Sequence, residues 1–321
     1  MQRVFVFPGQ GSQSVGMLAD LAAEGRVVAD TFAEASAVLG YDLWQLVQQG
    51  PAEKLSETIV QQPAMLAAGV ATWRHWLAHG GDQPDVVCGH SLGEFSALTA
   101  AGALDLATAV ALVRRRAELM QEAVPAGQGA IAAVLGLEDE QTEAACEEAA
   151  QGEVVELVNF NSPGQVVIAG HAAAVQRALE LCKARGAKRA VLLPMSVPAH
   201  SSLMRPAAER FGEALAVASF RSPRLAFWSP VDGRSHSDID DIRALLGRQL
   251  VSPVHWTELI RALIAQGAHT FVECGPGSVL TGLNRRIDKR PEMKYIALSA
   301  PGTDRRGAPR DGQPSTVAGQ A

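Results

Sequence analysis

The sequence predicts an α/β fold on three observations. Short apolar runs alternate with helical segments, a glycine-flanked serine stands between a strand and a helix, and a central segment has its own order of elements. The chain has 321 residues, of which 47% are hydrophobic and 19% are charged. A chain of this size and composition can bury a sizeable core, as one large domain or two smaller ones.

The first element is a strand over residues 4–7, followed by a loop over residues 8–13. One proline and two glycines exclude regular structure from this loop. In α/β proteins, ligands bind in the loops that leave the carboxyl ends of parallel strands. The loop is therefore a candidate part of a functional site.

The string Gly89-His90-Ser91-Leu92-Gly93 is typical of a nucleophile elbow. An apolar run over residues 85–88 predicts a buried strand before it, and residues 94–103 predict a helix behind it. In such a turn the backbone segments approach so closely that side chains at the flanking positions would clash. The pattern predicts a nucleophilic Ser91 facing the same crevice as the first loop; the alternative is a plain tight turn.

The segment over residues 126–196 reads as a separate unit. Its elements are a strand over 130–137, a helix over 139–150, a hairpin of strands 154–158 and 166–169, a helix over 172–184 and a strand over 190–193. This β-α-β-β-α-β order predicts a ferredoxin-like subdomain. It is inserted into a larger α/β-hydrolase-like domain with a parallel sheet, formed by residues 1–125 and 197–299.

The alternation of helices and strands resumes after residue 196. Helices are expected over 202–216, 240–250 and 257–266, and strands over 225–228, 270–274 and 294–298. Residues 300–321 are rich in polar residues, glycine and proline, which predicts a disordered tail.

Charge and cysteine usage exclude several classes of protein. The net charge of −6 argues against nucleic-acid binding through a general basic surface. A charged partner is therefore expected to bind at a local patch of charge. No apolar stretch is long enough to cross a membrane, and the first residues are too short for a signal sequence, so we expect a cytoplasmic protein. The scattered cysteines form no metal-binding pair and are expected to be reduced and partly buried; they are Cys88, Cys146, Cys182 and Cys274.

Arg116 belongs to a run of three arginines on a helix that Asp105 is expected to cap. On a helical wheel Arg115 lies outside the apolar arc and Arg114 at its edge, whereas Arg116 falls inside it. Because a guanidinium cannot shed its charge, its burial calls for a carboxylate. That carboxylate is either an internal ion-pair partner or part of a substrate.

A nucleophilic serine needs a base, and eight histidines compete for the role. His200 follows a predicted strand and precedes a helix, which favours it, but His255 and the others stay open. His90 adjoins the serine, yet the elbow points its ring away, so we interpret it as a structural or positioning residue. The remaining candidates are expected to be solvated: His75, His79, His171, His236 and His269.

Several motifs occur together in one order along the chain. They are Phe7-Pro8-Gly9-Gln10-Gly11-Ser12-Gln13, the elbow with Glu94, Arg116 ahead of Met120-Gln121, Asn159-Phe160-Asn161-Ser162-Pro163-Gly164-Gln165, Val197-Pro198-Ala199-His200, Gln249 ahead of Pro253-Val254, and Glu273-Cys274-Gly275-Pro276-Gly277. This set resembles the malonyl-CoA:acyl carrier protein transacylases of type II fatty acid synthesis. The resemblance spans residues 4–287.

The resemblance implies a role for each matching residue. Ser91 would be the nucleophile and His200 its general base and acid, with the imidazole oriented by the main-chain carbonyl of Gln249. The backbone N–H groups of Gln10 and Leu92 would form the oxyanion hole, and Arg116 would bind the malonyl carboxylate. The family pattern also places supporting residues near the site: His90, Asn159 and Asn161, with Gln10 lining the substrate pocket.

The resemblance further implies a ping-pong transfer of malonyl from malonyl-CoA to the phosphopantetheine thiol of acyl carrier protein, through malonyl-serine, for fatty acid elongation. No metal or bound cofactor is expected, and the chain is expected to act as a monomer. Two alternatives share the same residues. A serine thioesterase would let water complete the reaction, and a non-catalytic subunit would only dock the carrier.

Carrier proteins in such systems are acidic, so this acidic chain needs a focused basic area to bind one. We expect the docking site to include two basic pairs, Lys188 with Arg189 and Arg285 with Arg286. Ordinary surface charge is the alternative interpretation.

Overall fold

The computed structural model describes residues 2–125, 127–195 and 197–299; the predicted tail over 300–321 lies outside them. A six-stranded sheet forms the centre of the larger part. Its strands are β1 (Gln2–Phe7), β2 (Val86–Gly89), β7 (Ala226–Ser229), β8 (Arg234–His236), β9 (Ala268–Glu273) and β10 (Lys294–Ala297).

The order of this sheet is β10-β9-β1-β2-β7-β8. All neighbouring pairs are parallel except β7 with β8, which is antiparallel. Phe7 of β1 pairs with Gly89 of β2, so the first loop and the elbow leave the sheet at the same edge. The parallel sheet confirms the predicted α/β class, and β8 is a strand that the sequence pattern missed.

Helices cover both faces of the large sheet because β1 is apolar on both sides. Phe5 and Phe7 are buried in a core built mainly with helices that precede residue 250, whereas Val4 and Val6 pack with two later helices. The helices are α1 (Ala19–Ala23), α2 (Val27–Leu39), α3 (Leu43–Gln49), α4 (Ala52–Leu55), α5 (Thr58–Ala78), α6 (Gly93–Ala100), α7 (Leu106–Ala123), α10 (Arg205–Val217), α11 (Ile239–Gln249), α12 (Trp256–Ala265) and α13 (Val279–Ile287).

Residues 19–78 had no assignment from the sequence pattern, and they form five of these helices. The longest, α5, is buried almost all round and contains Pro63, so it shows no clear amphipathic period. None of the described helices combines the length and apolar character needed to cross a membrane.

A second, four-stranded antiparallel sheet forms the smaller part. Its elements are β3 (Gly129–Leu135), α8 (Asp139–Ala150), β4 (Val155–Ser162), β5 (Gln165–His171), α9 (Ala172–Ala184) and β6 (Arg189–Leu192). The strand order β4-β5-β3-β6 is that of a ferredoxin-like unit, and both helices pack on one face. The predicted type of subdomain is confirmed, while the domain boundaries stay a prediction.

The hairpin of this sheet differs from the sequence expectation. Both strands are longer, so Asn161 and Ser162 belong to β4 and the turn shrinks to Pro163 and Gly164. Strand pairing continues through the polar residues because Ser162 still pairs with Gln165. As a result, the asparagines are held by an irregular part of strand β4, where the pairing register shifts, rather than by a loop.

The four cysteines are free and fully buried rather than partly buried. They sit in apolar core layers, as Cys88 does on β2 and Cys182 on α9. Burial raises the pKa of each thiol, that of Cys146 to about 12. The thiols are therefore protonated, buried groups.

Candidate active site

Ser91 lies on a strained turn between β2, which ends at Gly89, and α6, which begins at Gly93. Its φ of 52° is in the left-handed region that side chains rarely adopt. A Cβ on Gly89 would lie 1.9 Å from the carbonyl carbon of Gly93, and a Cβ on Gly93 would lie 2.0 Å from the carbonyl oxygen of Phe7. The steric reason for the flanking glycines, inferred from the sequence, is confirmed.

The first loop packs directly on this elbow. A Cβ on Gly9 would lie 2.7 Å from the carbonyl oxygen of His90, so only glycine allows the approach. In the described chain the backbone N–H groups of Gln10 and Leu92 donate no hydrogen bond. Two N–H groups beside a nucleophile are the donors that an oxyanion needs.

His200 is the histidine that the fold brings to Ser91. Its Nε2 lies 2.6 Å from Ser91 Oγ, and its Nδ1 donates to the carbonyl oxygen of Gln249 at 2.9 Å. Because a carbonyl only accepts, the proton sits on Nδ1 and the lone pair on Nε2 faces the serine. His255, the open alternative, instead stacks on the ring of Phe160 with centroids 5.0 Å apart.

The imidazole of His200 is neutral. Burial, and then the positive charge of Arg116, lower its pKa to about 3, although the bond to the Gln249 carbonyl opposes the shift. The ring is therefore in its basic form at neutral pH and can accept the proton of Ser91.

Arg116 is fully buried on α7 behind the serine, as the helical wheel predicts. Nη1 donates to Gln62 Oε1 and Nη2 to Gln249 Oε1, both at 2.9 Å, and Nη2 also lies 3.3 Å from Ser91 Oγ. No protein carboxylate in the described chain lies within ion-pair distance of it. The alternative from the sequence analysis, a direct ion pair with a protein carboxylate, is therefore wrong for the described residues.

One edge of this guanidinium is left for a ligand. Nε is buried without a hydrogen-bond partner in the described chain, and the adjacent Nη2 points at Ser91 Oγ. Neighbouring guanidinium N–H groups bind a carboxylate with two parallel hydrogen bonds. An acyl group on Ser91 that ends in a carboxylate would place it next to this edge.

Gln62 and Glu94 are site residues that sequence reasoning missed. Gln62 lies in α5, which is buried on nearly all sides and shows no amphipathic period that would single it out. Glu94 follows the elbow on α6. Both are buried, at 0% exposure. The available signal was a glutamate at the start of an otherwise apolar helix, where a charged residue is costly.

A cavity opens over Ser91 between the two sheets. The elbow and first loop line one side, and apolar side chains of the small sheet line the other. The lining residues are Pro8, Gly9, Gln10, Ser12, His90, Ser91, Ile131, Asn159, Asn161, Val167, Leu193, Met195, Ala199, His200, Val279, Leu280 and Leu283. Arg116, Gln249 and Leu92 lie behind this surface.

His90 and the two asparagines meet on one side of the cavity. His90 Nε2 lies 2.8 Å from Asn161 Oδ1, so this ring is tied to the small subdomain and not to the serine hydroxyl. Asn159 Oδ1 is buried and has no hydrogen-bond partner in the described chain. The predicted supporting residues therefore share the cavity with Ser91.

Three of the four predicted basic residues lie at one end of the small sheet, whereas Arg285 donates to the carbonyl oxygen of Tyr295 on β10 of the large sheet. Arg189 on β6 pairs with Leu135 on β3, and Leu135 pairs on its other side with Gln165 on β5. Arg286 of α13 donates a hydrogen bond to the Gln165 side chain. Arg189 and Gln165 are thus two strand spacings apart, about 10 Å. All four basic residues are exposed.

Two histidines expected to be solvated are buried instead. His236 lies between Asp232 and Asp241; burial lowers its pKa, but the two carboxylates outweigh burial and raise it above the ordinary value. His75 packs in the helical layer, where Glu24, His75 and His79 form a group able to hold a metal ion, with donor atoms within 4.8 Å of one another. None of these residues lines the cavity.

The fold and the site are those of an acyltransferase. Residues 4–305 match the family model described as the acyl transferase domain, so the chain belongs to that family. A curated relative from Escherichia coli (strain K12), named malonyl CoA-acyl carrier protein transacylase, is 57% identical over 286 residues, which cover 89% of this chain and 93% of the relative.

Solved structures agree with this assignment. The malonyl CoA-acyl carrier protein transacylase from Coxiella burnetii has a TM-score of 0.91 and 48% identity, covering 93% of this chain and 94% of that one. A malonyl-transacylase solved in complex with a type II PKS acyl-carrier protein has a TM-score of 0.90 and 52% identity, covering 92% of this chain and 96% of that one. Within the acyl transferase family, this chain is a member of the malonyl-CoA:acyl carrier protein transacylases, and neither alternative interpretation is favoured.

Proposed function

We propose that this chain transfers the malonyl group from malonyl-CoA to the phosphopantetheine thiol of acyl carrier protein, through a malonyl ester on Ser91, to supply fatty acid elongation. One observation carries the proposal. Ser91 Oγ lies 2.6 Å from His200 Nε2 and 3.3 Å from Arg116 Nη2. The nucleophilic oxygen is therefore in contact with both a base and a cation that can bind a carboxylate. The relatives' activity supports the same assignment.

The first half-reaction forms the ester. His200 Nε2 takes the proton of Ser91 as Oγ attacks the thioester carbonyl, and the N–H groups of Gln10 and Leu92 bind the oxyanion. The carbonyl re-forms as the C–S bond breaks, and His200 returns the proton to the sulfur, which leaves as the thiol of coenzyme A. In the second half, the same histidine takes the proton of the carrier thiol as its sulfur attacks the ester carbonyl. The ester C–O bond then breaks, His200 returns the proton to Ser91 Oγ, and the malonyl group leaves as the thioester of the carrier.

The malonyl carboxylate strengthens the base. The charge of Arg116 is one cause of the low pKa of His200. Burial is the larger cause and persists, but a bound carboxylate compensates the charge of Arg116, so the pKa of His200 rises once the acidic acyl group is in place. A neutral acyl group gives no such compensation. Recognition of the carboxylate and activation of the serine are therefore coupled.

Intact-mass measurement after mixing with malonyl-CoA tests the proposal. We expect a stable malonyl adduct, mapped to Ser91 by peptide analysis and discharged when carrier with its phosphopantetheine arm is added. Ser91→Ala should form no adduct. Rapid release of free malonate without carrier would favour a thioesterase instead, and carrier binding without any adduct in the wild type would favour a docking subunit.

The basic end of the small sheet is the proposed carrier-docking site. Lys188 and Arg189 of the small subdomain, with Arg285 and Arg286 of α13, place four exposed positive charges on an acidic chain. The small subdomain also lines the cavity over Ser91. Complementary charge chiefly sets the rate and register of such an encounter. The carrier's arm can then enter between the two sheets.

Reversing two of these charges separates docking from chemistry. Lys188→Glu with Arg189→Glu should raise the apparent KM for the carrier and leave that for malonyl-CoA unchanged. The matched control is reversal at Lys54 and Arg26, which are exposed on the other part of the molecule. Equal effects on both substrates, or none on either, would contradict the docking site.

Three further expectations belong to this proposal. Catalysis needs no resident metal or cofactor, because proton transfer and oxyanion binding are assigned to protein groups. The active unit is a monomer in the cytoplasm. Activity that persists after chelator treatment, and a molar mass of about 34 kDa by light scattering from the chain mass of 33.8 kDa, would support these points.

A further inference from the structure

Glu94 is a fully buried carboxylate directly behind the nucleophile elbow. In the described chain no cation lies within ion-pair distance of it. Burying a carboxylate without a paired cation costs several kcal/mol, so an apolar residue here would favour stability. The position therefore calls for an explanation other than stability.

The main contact of Glu94 is the amide of Gln249. Gln249 Nε2 donates both to Glu94 Oε2 and, at 3.0 Å, to the carbonyl oxygen of Ser91. The Ser229 hydroxyl also lies close enough to favour the ionised carboxylate, although Oε1 has no hydrogen bond of regular geometry. Burial raises the pKa of Glu94 to about 7, against the opposing effects of Ser229, Gln249 and Arg116.

The opposite end of the same amide contacts the arginine. Gln249 Oε1 accepts from Arg116 Nη2 at 2.9 Å. If the amide turned over, its NH₂ group would face guanidinium donors and its oxygen would face a carboxylate. Both new contacts would be repulsive, because an arginine only donates and an ionised carboxylate only accepts. Arg116 on one side, and Glu94 together with the Ser91 carbonyl on the other, thus fix one orientation of this amide.

We propose that Glu94 is a positioning residue for donor selectivity: its carboxylate holds the Gln249 amide so that the amide oxygen aims the Arg116 guanidinium at the malonyl carboxylate. The Gln249 side chain separates the Glu94 carboxylate from the Arg116 guanidinium. Arg116 is therefore oriented by amide oxygens, and its Nε and Nη2 edge stays available to the substrate. The inference rests on the proposed malonyl transfer.

Glu94→Gln tests this role because it keeps the shape and removes the charge. A glutamine at position 94 can accept from or donate to Gln249, so position 94 no longer selects one amide orientation, and only Arg116 and the Ser91 carbonyl still favour it. We expect kcat/KM for malonyl-CoA to fall about 10- to 100-fold, by analogy with residues that orient metal ligands, with most of the loss in KM. Labelling of Ser91 by the neutral reagent phenylmethylsulfonyl fluoride should change less than about 3-fold, since His200 depends on the Gln249 main chain.

The controls separate a positioning role from a structural one. Glu122→Gln removes an exposed glutamate paired with Arg210 and should change neither rate. Glu94→Met, which offers no acceptor, should reproduce the split between malonyl-CoA and the neutral reagent. Equal losses in both reactions, no loss in either, or failure of both Glu94 variants to fold would overturn the role. Failure of the wild-type chain to form malonyl-Ser91 would instead refute the proposed function.

Discussion

Removal of the Arg116 guanidinium tests substrate selection most directly. Arg116→Ala deletes the donors that face Ser91 Oγ, and Arg116→Met deletes them while it keeps most of the buried volume. In the wild type the unpartnered Nε and the neighbouring Nη2, 3.3 Å from Ser91 Oγ, can form two charge-assisted hydrogen bonds with the malonyl carboxylate. Such bonds contribute about 1.5–3 kcal/mol each.

Two bonds of this strength amount to about 3–6 kcal/mol, which corresponds to a loss of about 10²- to 10⁴-fold in kcat/KM for malonyl-CoA. Acetyl-CoA lacks the carboxylate, so in the wild type its neutral acyl group leaves the buried charge of Arg116 uncompensated. The variants remove that charge, and their kcat/KM for acetyl-CoA should be unchanged or higher. The variant is expected to fold, since Glu94, whose pKa is already raised to about 7, can take up a proton once the cation is gone.

The assay compares acyl transfer from malonyl-CoA and acetyl-CoA to the same carrier, with a thermal unfolding curve for each variant. A fall of similar size for both donors would show that Arg116 serves the serine rather than the carboxylate. Unchanged malonyl transfer in a folded Arg116→Met enzyme would refute the reasoning altogether.

Three more predictions concern the base and the elbow. His200→Ala should slow acylation of Ser91 about 10²- to 10⁴-fold, as measured by rapid-quench mass spectrometry, and a smaller effect would mean that another base acts. Because the pKa of His200 is lowered to about 3, its basic form persists far below pH 6.5, so labelling of Ser91 by a neutral reagent should stay flat from about pH 8 to about pH 5; an inflection near 6.5 would contradict the neutral imidazole. Gly93→Ala places a Cβ 2.0 Å from the Phe7 carbonyl and should reduce the free energy of unfolding by more than about 4 kcal/mol. The control Gly212→Ala, in open space on a helix, should raise it by about 0.5–1 kcal/mol, and equal urea midpoints for the two variants would contradict the steric account.

Sequence reasoning reached the fold class and the nucleophile because both depend on local patterns. The elbow needs small residues at fixed spacing, and a helical wheel is enough to bury Arg116. The ferredoxin-like order could be inferred from alternating apolar runs and a turn signal. Local patterns failed for α5, which is buried on nearly all sides and so shows no periodic alternation of apolar and polar residues. They also failed at Asn161, where polar residues continue a strand.

The sequence by itself determined which groups are available: a serine on a glycine-flanked turn, a buried guanidinium and a choice of histidines. Residue patterns left His200 and His255 open, and only the family resemblance assigned the role to His200. The tertiary structure brings Ser91 and His200, 109 positions apart, to 2.6 Å through the packing of distant elements. It alone brought Gln62 and Gln249 to Arg116, and Glu94 to Gln249. Hydrogen-bond partners far apart along the chain leave no periodic signal, since their contacts depend on how whole helices and strands pack.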